Sequence, residues 1–144
     1  RYAGERYSHA TVMRRVHELG VDVIQIGVRS ASATEAEFVR EKGIRCIMAH
    51  EVMRNPEETL DALKGIRDPV YISVDMDVLD PAYAPSVGNP TPCGLTPWVL
   101  EDIVEVLSRK DVVGFDVVEV ASTGFGDQTS VNAAKIIYDL LTLL

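Results

Sequence analysis

Residues 70–81 read Val-Tyr-Ile-Ser-Val-Asp-Met-Asp-Val-Leu-Asp-Pro (VYISVDMDVLDP). The β-rich run from Val70 to Met76 predicts a strand. Strand side chains alternate, so Ser73, Asp75 and Asp77 are expected on one face and Val74 and Met76 on the other. Two carboxylates two residues apart at the end of an apolar strand are costly, because like charges this close raise one pKa strongly. A divalent cation resolves the conflict, and carboxylate oxygens suit a hard ion such as Mn²⁺ or Mg²⁺. The alternative reading is that both acids accept hydrogen bonds from backbone groups at the strand exit. Asp80 stands before Pro81, an arrangement that favours turn initiation, and is read as structural.

Outward from this segment, short apolar runs alternate with helical stretches. Asp22–Gly27 (DVIQIG), Ile44–Met48 (IRCIM) and Val112–Val120 (VVGFDVVEV) read as three further strands. A helix from Thr11 to Leu19 is stopped by Gly20. Thr34 with Glu37 forms a capping box for a helix ending near Gly43. Asn55-Pro56-Glu57-Glu58 opens another by a cap residue, a proline at the first helical position and acids favoured by the dipole. Thr96-Pro97 repeats that logic for a helix to Arg109, and a last helix is expected from Ser130 to Leu143. Strands that are nearly all apolar, alternating with helices, imply one parallel sheet covered by helices on both faces. Such sheets build their sites at the carboxyl ends of the strands.

The 144 residues fit a single domain spanning 1–144, and 47% hydrophobic with 25% charged residues is an ordinary globular balance. A formal charge of −8 argues against a nucleic-acid partner and is compatible with a small cationic substrate. No apolar run approaches the roughly 18 residues of a membrane span, and no leader opens the chain. Cys46 and Cys93 are too few for a disulfide framework and are expected as free thiols in a reducing cytoplasm.

Other chemistry is sparse. An EF-hand would need an oxygen ligand at position 79 and glycine at position 80, where Leu79 and Asp80 stand. A haloacid-dehalogenase-type phosphatase opens with a similar Asp-x-Asp. It does so near the start of its domain and continues with Gly-Thr, so it is kept as a distant alternative. Glu119 ends a strand and, read alone, is a solvated strand-end acid. His9 lies near a helix start, where histidines commonly cap or face solvent; His17 and His50 are read as structural. Gly124-Phe125-Gly126 lacks the third glycine and the lysine of phosphate loops.

The run SVDMDVLDPAYAPSVGNPTPCGLT, residues 73–96, closely resembles the signature of the ureohydrolase family of arginase and agmatinase. There Ser-x-Asp-x-Asp-x-x-Asp-Pro leads through Ala-Pro and Gly-x-Pro to Gly-Leu-Thr. Ser8-His9-Ala10-Thr11, Ile26-Gly27-Val28-Arg29-Ser30 and Gly114-Phe115-Asp116-Val117-Val118-Glu119-Val120 resemble further family segments in order. The segments around His9, Arg29 and the Gly-Leu-Thr loop are more similar to agmatinase than to arginase.

The resemblance implies a three-layer α/β/α parallel sheet of the arginase–deacetylase type, with this chain its C-terminal portion. It implies Asp75 and Asp77 as metal ligands in a two-Mn²⁺ site, Asp75 bridging the ions. Glu119 then receives the substrate guanidinium, and His9 shuttles a proton to the leaving amine. The implied reaction is attack of a metal-activated water on the guanidinium carbon, taking agmatine to urea and putrescine. Another guanidino-acid amidinohydrolase, arginase or a non-catalytic remnant of the fold are the alternatives. The family also implies a homo-oligomer, trimeric or hexameric.

Two family motifs, Gly-Gly-Asp-His and Asp-Ala-His-x-Asp, supply four of its six metal ligands, and neither occurs in this sequence. Arg1 falls where the residues after the second motif are expected. The expectation is therefore a fragment that holds two of the six metal ligands and is inactive alone. Asn89, Thr91 and Cys93 stand where many agmatinases have Thr, Glu and Gly, which puts substrate choice in doubt more than reaction type.

Overall fold

A computed structural model describes residues 4–144. Four strands are present: β1 (Ile24–Val28), β2 (Arg45–Met48), β3 (Val70–Asp75) and β4 (Val112–Val118). Between and around them lie α1 (Val12–Glu18), α2 (Ala33–Lys42), α3 (Ala49–Arg54), α4 (Pro56–Lys64), α5 (Pro97–Ser108) and α6 (Gln128–Leu143). All strand pairing is parallel, so the fold is α/β as expected.

The strands form two parallel pairs, β1–β2 and β3–β4, where one sheet was expected. Among the described residues no strand joins the pairs. They meet instead beyond the strand ends, where Gly27, at φ +81°, sits against Val78 and Leu95. Burial on β3 alternates as expected of a strand. Ile72 and Val74 are buried, as is Met76 just beyond, and they enter a core with Leu63, Leu100, Ile103, Val104, Ile136 and Leu140. The opposite face of β3, with Tyr71, Ser73 and Asp75, is exposed. The described residues therefore cover one face of this pair, not both.

Local signals set most helix ends. Thr96 Oγ accepts the Val99 N–H at 3.4 Å ahead of Pro97. Gly43 closes α2 in the left-handed region at φ +64°. The capping box of α2 is Ser32 with Glu35, not Thr34 with Glu37. Ser32 N–H donates to Glu35 Oε2 at 2.7 Å, and Glu35 N–H donates to Ser32 Oγ at 3.3 Å. Both pairs fit the S/T-x-x-E pattern, and the helix starts two residues earlier because Ser32 already has extended backbone. Asn55 precedes α4 but makes no side-chain cap; its Nδ2 donates to Glu58 at 3.0 Å. The short helix α3 fills a stretch with no start signal in the sequence. Asp127, not a residue near Ser130, caps α6, accepting from Ser130 N–H at 3.2 Å.

Candidate active site

Strand β3 ends at Asp75, and the chain turns at once into a single 3₁₀ turn, Met76–Val78. Asp77 thus sits in that turn and not on the strand face with Asp75, because the Asp75 carboxylate caps the turn by accepting the Asp77 N–H. The two acids stay together through the turn. Asp75 Oδ1 accepts the Asp77 N–H at 2.9 Å, and Asp77 Oδ1 lies 3.5 Å from the Asn89 N–H that donates to it. Backbone capping, the alternative reading of the pair, is therefore present. It uses one oxygen of each carboxylate, leaving the other free of protein hydrogen bonds among the described residues.

Glu119 comes from the neighbouring strand. Register pairs Asp75 with Val118, so Glu119 leaves the same carboxyl edge one residue beyond. Its backbone is left-handed, φ +64°, which a non-glycine residue adopts at a cost of about 1–2 kcal/mol. Backbone strain of this kind gathers at functional sites. The turn at Glu119 lets Val120 bridge antiparallel to Val87, with Ala121 N–H donating to Ser86 O at 2.9 Å. The loop after β3 is thereby laid along the exit of β4. A Cβ placed on Gly88 would stand 3.1 Å from Glu119 Oε2, so this glycine leaves room for the carboxylate.

Electrostatics join the three acids. Loss of hydration pushes the Asp75 carboxyl above its ordinary range, and the charges of Asp77 and Glu119 push it further. The Asp77 N–H and the Arg29 guanidinium oppose the shift. The result is a surplus of negative charge at one sheet edge, with free carboxylate oxygens, which is the donor chemistry a hard cation takes. Among the described residues no group of three or more His, Cys, Asp or Glu side chains could hold a metal ion.

The other acid of the motif is structural, as read. Asp80 accepts from Ala82 at 3.0 Å, Cys93 at 2.7 Å and Gly94 at 3.2 Å, which fixes the turn and holds its carboxyl below the usual range. His9 is exposed at the start of the 3₁₀ turn before α1, and its role rests on the resemblance alone. Sequence reasoning missed the function of Gly88 and of Arg29. Arg29 reaches the backbone of the acid turn from the end of β1, and only a long-range contact could have revealed it. Among the described residues no helix is long and apolar enough to cross a membrane.

Comparison with known proteins agrees with this geometry. Residues 1–142 match the model of the arginase family. The chain is 40% identical over 138 residues to an agmatinase of Pyrococcus horikoshii, covering 95% of this chain and 48% of that protein. It is 38% identical over 138 residues to an N(1)-aminopropylagmatine ureohydrolase of Thermococcus kodakarensis, covering 95% and 47%. The crystal structure of an agmatine ureohydrolase of Thermoplasma volcanium superposes with a TM-score of 0.89 at 39% identity, covering 99% of this chain and 50% of that one. The chain spans about half the length of the curated relatives it matches. The match to the family model, which runs almost end to end over residues 1–142, establishes that this chain belongs to the arginase family.

Proposed function

We propose that the full-length protein carrying this chain hydrolyses the guanidinium of agmatine, giving urea and putrescine, at a site that binds two Mn²⁺ ions. The observation that carries this reading is the convergence of Asp75, Asp77 and Glu119 at one sheet edge. The free oxygens of Asp75 and Asp77 would hold the metal. The remaining ligands come, in this reading, from the portion of the relatives' length that this chain does not span. When bound, the ion pair supplies a water acidified enough to act as a nucleophile at neutral pH.

Glu119 accepts two N–H groups of the flat guanidinium, fixing its carbon in front of the acid pair. His9 gives a proton to the amine nitrogen as the carbon–nitrogen bond breaks. The net acidic charge of −8 favours a cationic substrate. We place the protein in the cytoplasm, as a trimer or hexamer of identical chains.

A second substrate is favoured by one observation: a relative of nearly equal identity is named as an N(1)-aminopropylagmatine ureohydrolase. The test is urea release by the full-length protein with Mn²⁺ on agmatine, N(1)-aminopropylagmatine and arginine. The expected result is turnover of agmatine with the highest kcat/KM. A preference for the aminopropyl compound of tenfold or more would replace the substrate and keep the reaction. No urea from any guanidino compound, with Mn²⁺ bound, would overturn the assignment in favour of a non-catalytic member of the fold.

A further inference from the structure

Arg29 stands at the end of β1, on the strand pair that does not carry the acids. Its guanidinium is half-buried and has no ion-pair partner within 4.0 Å among the described residues. It donates instead to four backbone carbonyls. Nε donates to Thr91 O at 2.7 Å, Nη1 to Val78 O at 3.5 Å, and Nη2 to Leu79 O at 3.3 Å and to Asp77 O. These acceptors lie 48 to 62 residues away in sequence, on two separate segments. One segment is the turn that carries Asp77, and the other is the loop whose Asn89 N–H meets the Asp77 carboxylate.

Arginine suits this task better than lysine. Its planar fork holds up to five donors in fixed directions, whereas an ammonium is a single swivelling point of charge. The carbonyls of Asp77 and Leu79, aimed at one group, would be left unpaired if that group were apolar, whereas Val78 O also accepts the Leu95 N–H. The guanidinium satisfies them and adds positive charge beside Asp75 and Asp80. The rest of the tie is backbone: Leu95 N–H donates to Val78 O at 2.9 Å and Asp80 N–H to Leu95 O at 3.0 Å. Among the described residues, Arg29 alone links that framework to the β1–β2 pair by side-chain hydrogen bonds.

We propose that Arg29 is a positioning residue that clamps the Asp77 turn to the 89–91 loop, and so sets the spacing of the Asp75–Asp77 pair for metal binding. The proposal rests on the metal-site reading above. It does not require Arg29 to touch substrate or metal.

The test compares Arg29→Met and Arg29→Lys with the unaltered full-length protein, by Mn²⁺ titration and by amide hydrogen exchange. Arg67→Met serves as control, since Arg67 is exposed and, among the described residues, pairs only with Asp22. In Arg29→Met, Mn²⁺ affinity is expected to fall at least tenfold, and exchange at Asp80, Asn89 and Leu95 to quicken at least tenfold. Arg29→Lys should recover part of both, and Arg67→Met should change neither. Mn²⁺ affinity within twofold and unchanged exchange in Arg29→Met would overturn the clamp. If Arg29→Met does not fold, Arg29→Lys carries the test, and unchanged affinity and exchange in it give the same refutation. If the unaltered protein binds no Mn²⁺, the metal-site reading fails by itself. The exchange comparison then decides the clamp: quickening confined to 77–80 and 89–95 supports it, and its absence refutes it.

Discussion

Replacing Glu119 by glycine and by alanine separates the backbone of the site from its charge. Both substitutions delete the carboxylate, so neither variant should release urea. They differ only in how they tolerate φ +64°. A residue with a Cβ pays about 1–2 kcal/mol there, whereas glycine is free of that strain. Glycine in turn loses roughly 0.5–1 kcal/mol of backbone entropy relative to alanine. The balance makes Glu119→Gly more stable than Glu119→Ala by about 0.5–1 kcal/mol, the reverse of the usual order. For a chain of this size that is a Tm higher by roughly 2–3 °C. Thermal unfolding should be followed without metal, because a ligand that binds only the folded state would mask so small a difference. An alanine variant as stable as the glycine variant, or more so, would show that residue 119 is not left-handed in solution. The account of how its carboxylate is aimed past Gly88 would then fail with it.

Further outcomes follow from the same geometry. Gly94→Ala should lower stability by about 3 kcal/mol, since the new Cβ would stand 2.6 Å from Leu79 C and 2.8 Å from Asp80 Cα, backbone atoms that cannot turn aside. Gly114→Ala should cost under about 1 kcal/mol, because it meets only the exposed Tyr71 ring; equal losses in denaturant titration would contradict the packing of the 79–95 loop. Asp77→Ala should lower Mn²⁺ content and abolish urea release, while His9→Ala keeps the metal and slows turnover; equal metal loss in both would remove His9 from its role. Hydrogen bonds from Ser130 and Ser122 hold Asp127 at about 2, below its ordinary 3.8. A depressed carboxyl stabilises the fold above the ordinary value and loses that effect as pH falls through the folded one. The stability of the natural protein should therefore drop between pH 4 and pH 2 more steeply than that of Asp127→Asn; parallel acid-unfolding curves would show that the α6 cap does not act this way.

The sequence by itself determined the α/β class, the order of strands along the chain, most helix boundaries and the placing of acids at the exits of β3 and β4. The reason is that local signals carried them: apolar runs of strand length, a proline behind a cap residue, and acids at strand ends. It also separated Asp80 from Asp75 and Asp77, since Asp-Pro is a turn signal readable in two residues. Tertiary structure alone decided what those signals leave degenerate. Ser32 and Thr34 offer equally good capping boxes, and only the path of the chain into α2 selects Ser32. Alternation placed Asp77 on the face of Asp75, but the Asp75 carboxylate caps a 3₁₀ turn there, which replaces shared strand geometry by a hydrogen-bonded turn. Two parallel pairs stand where one sheet was expected, because apolar runs announce strands without naming their partners. Arg29 and Gly88 act across dozens of residues, through carbonyls and through an absent Cβ, and neither device leaves a local pattern to read.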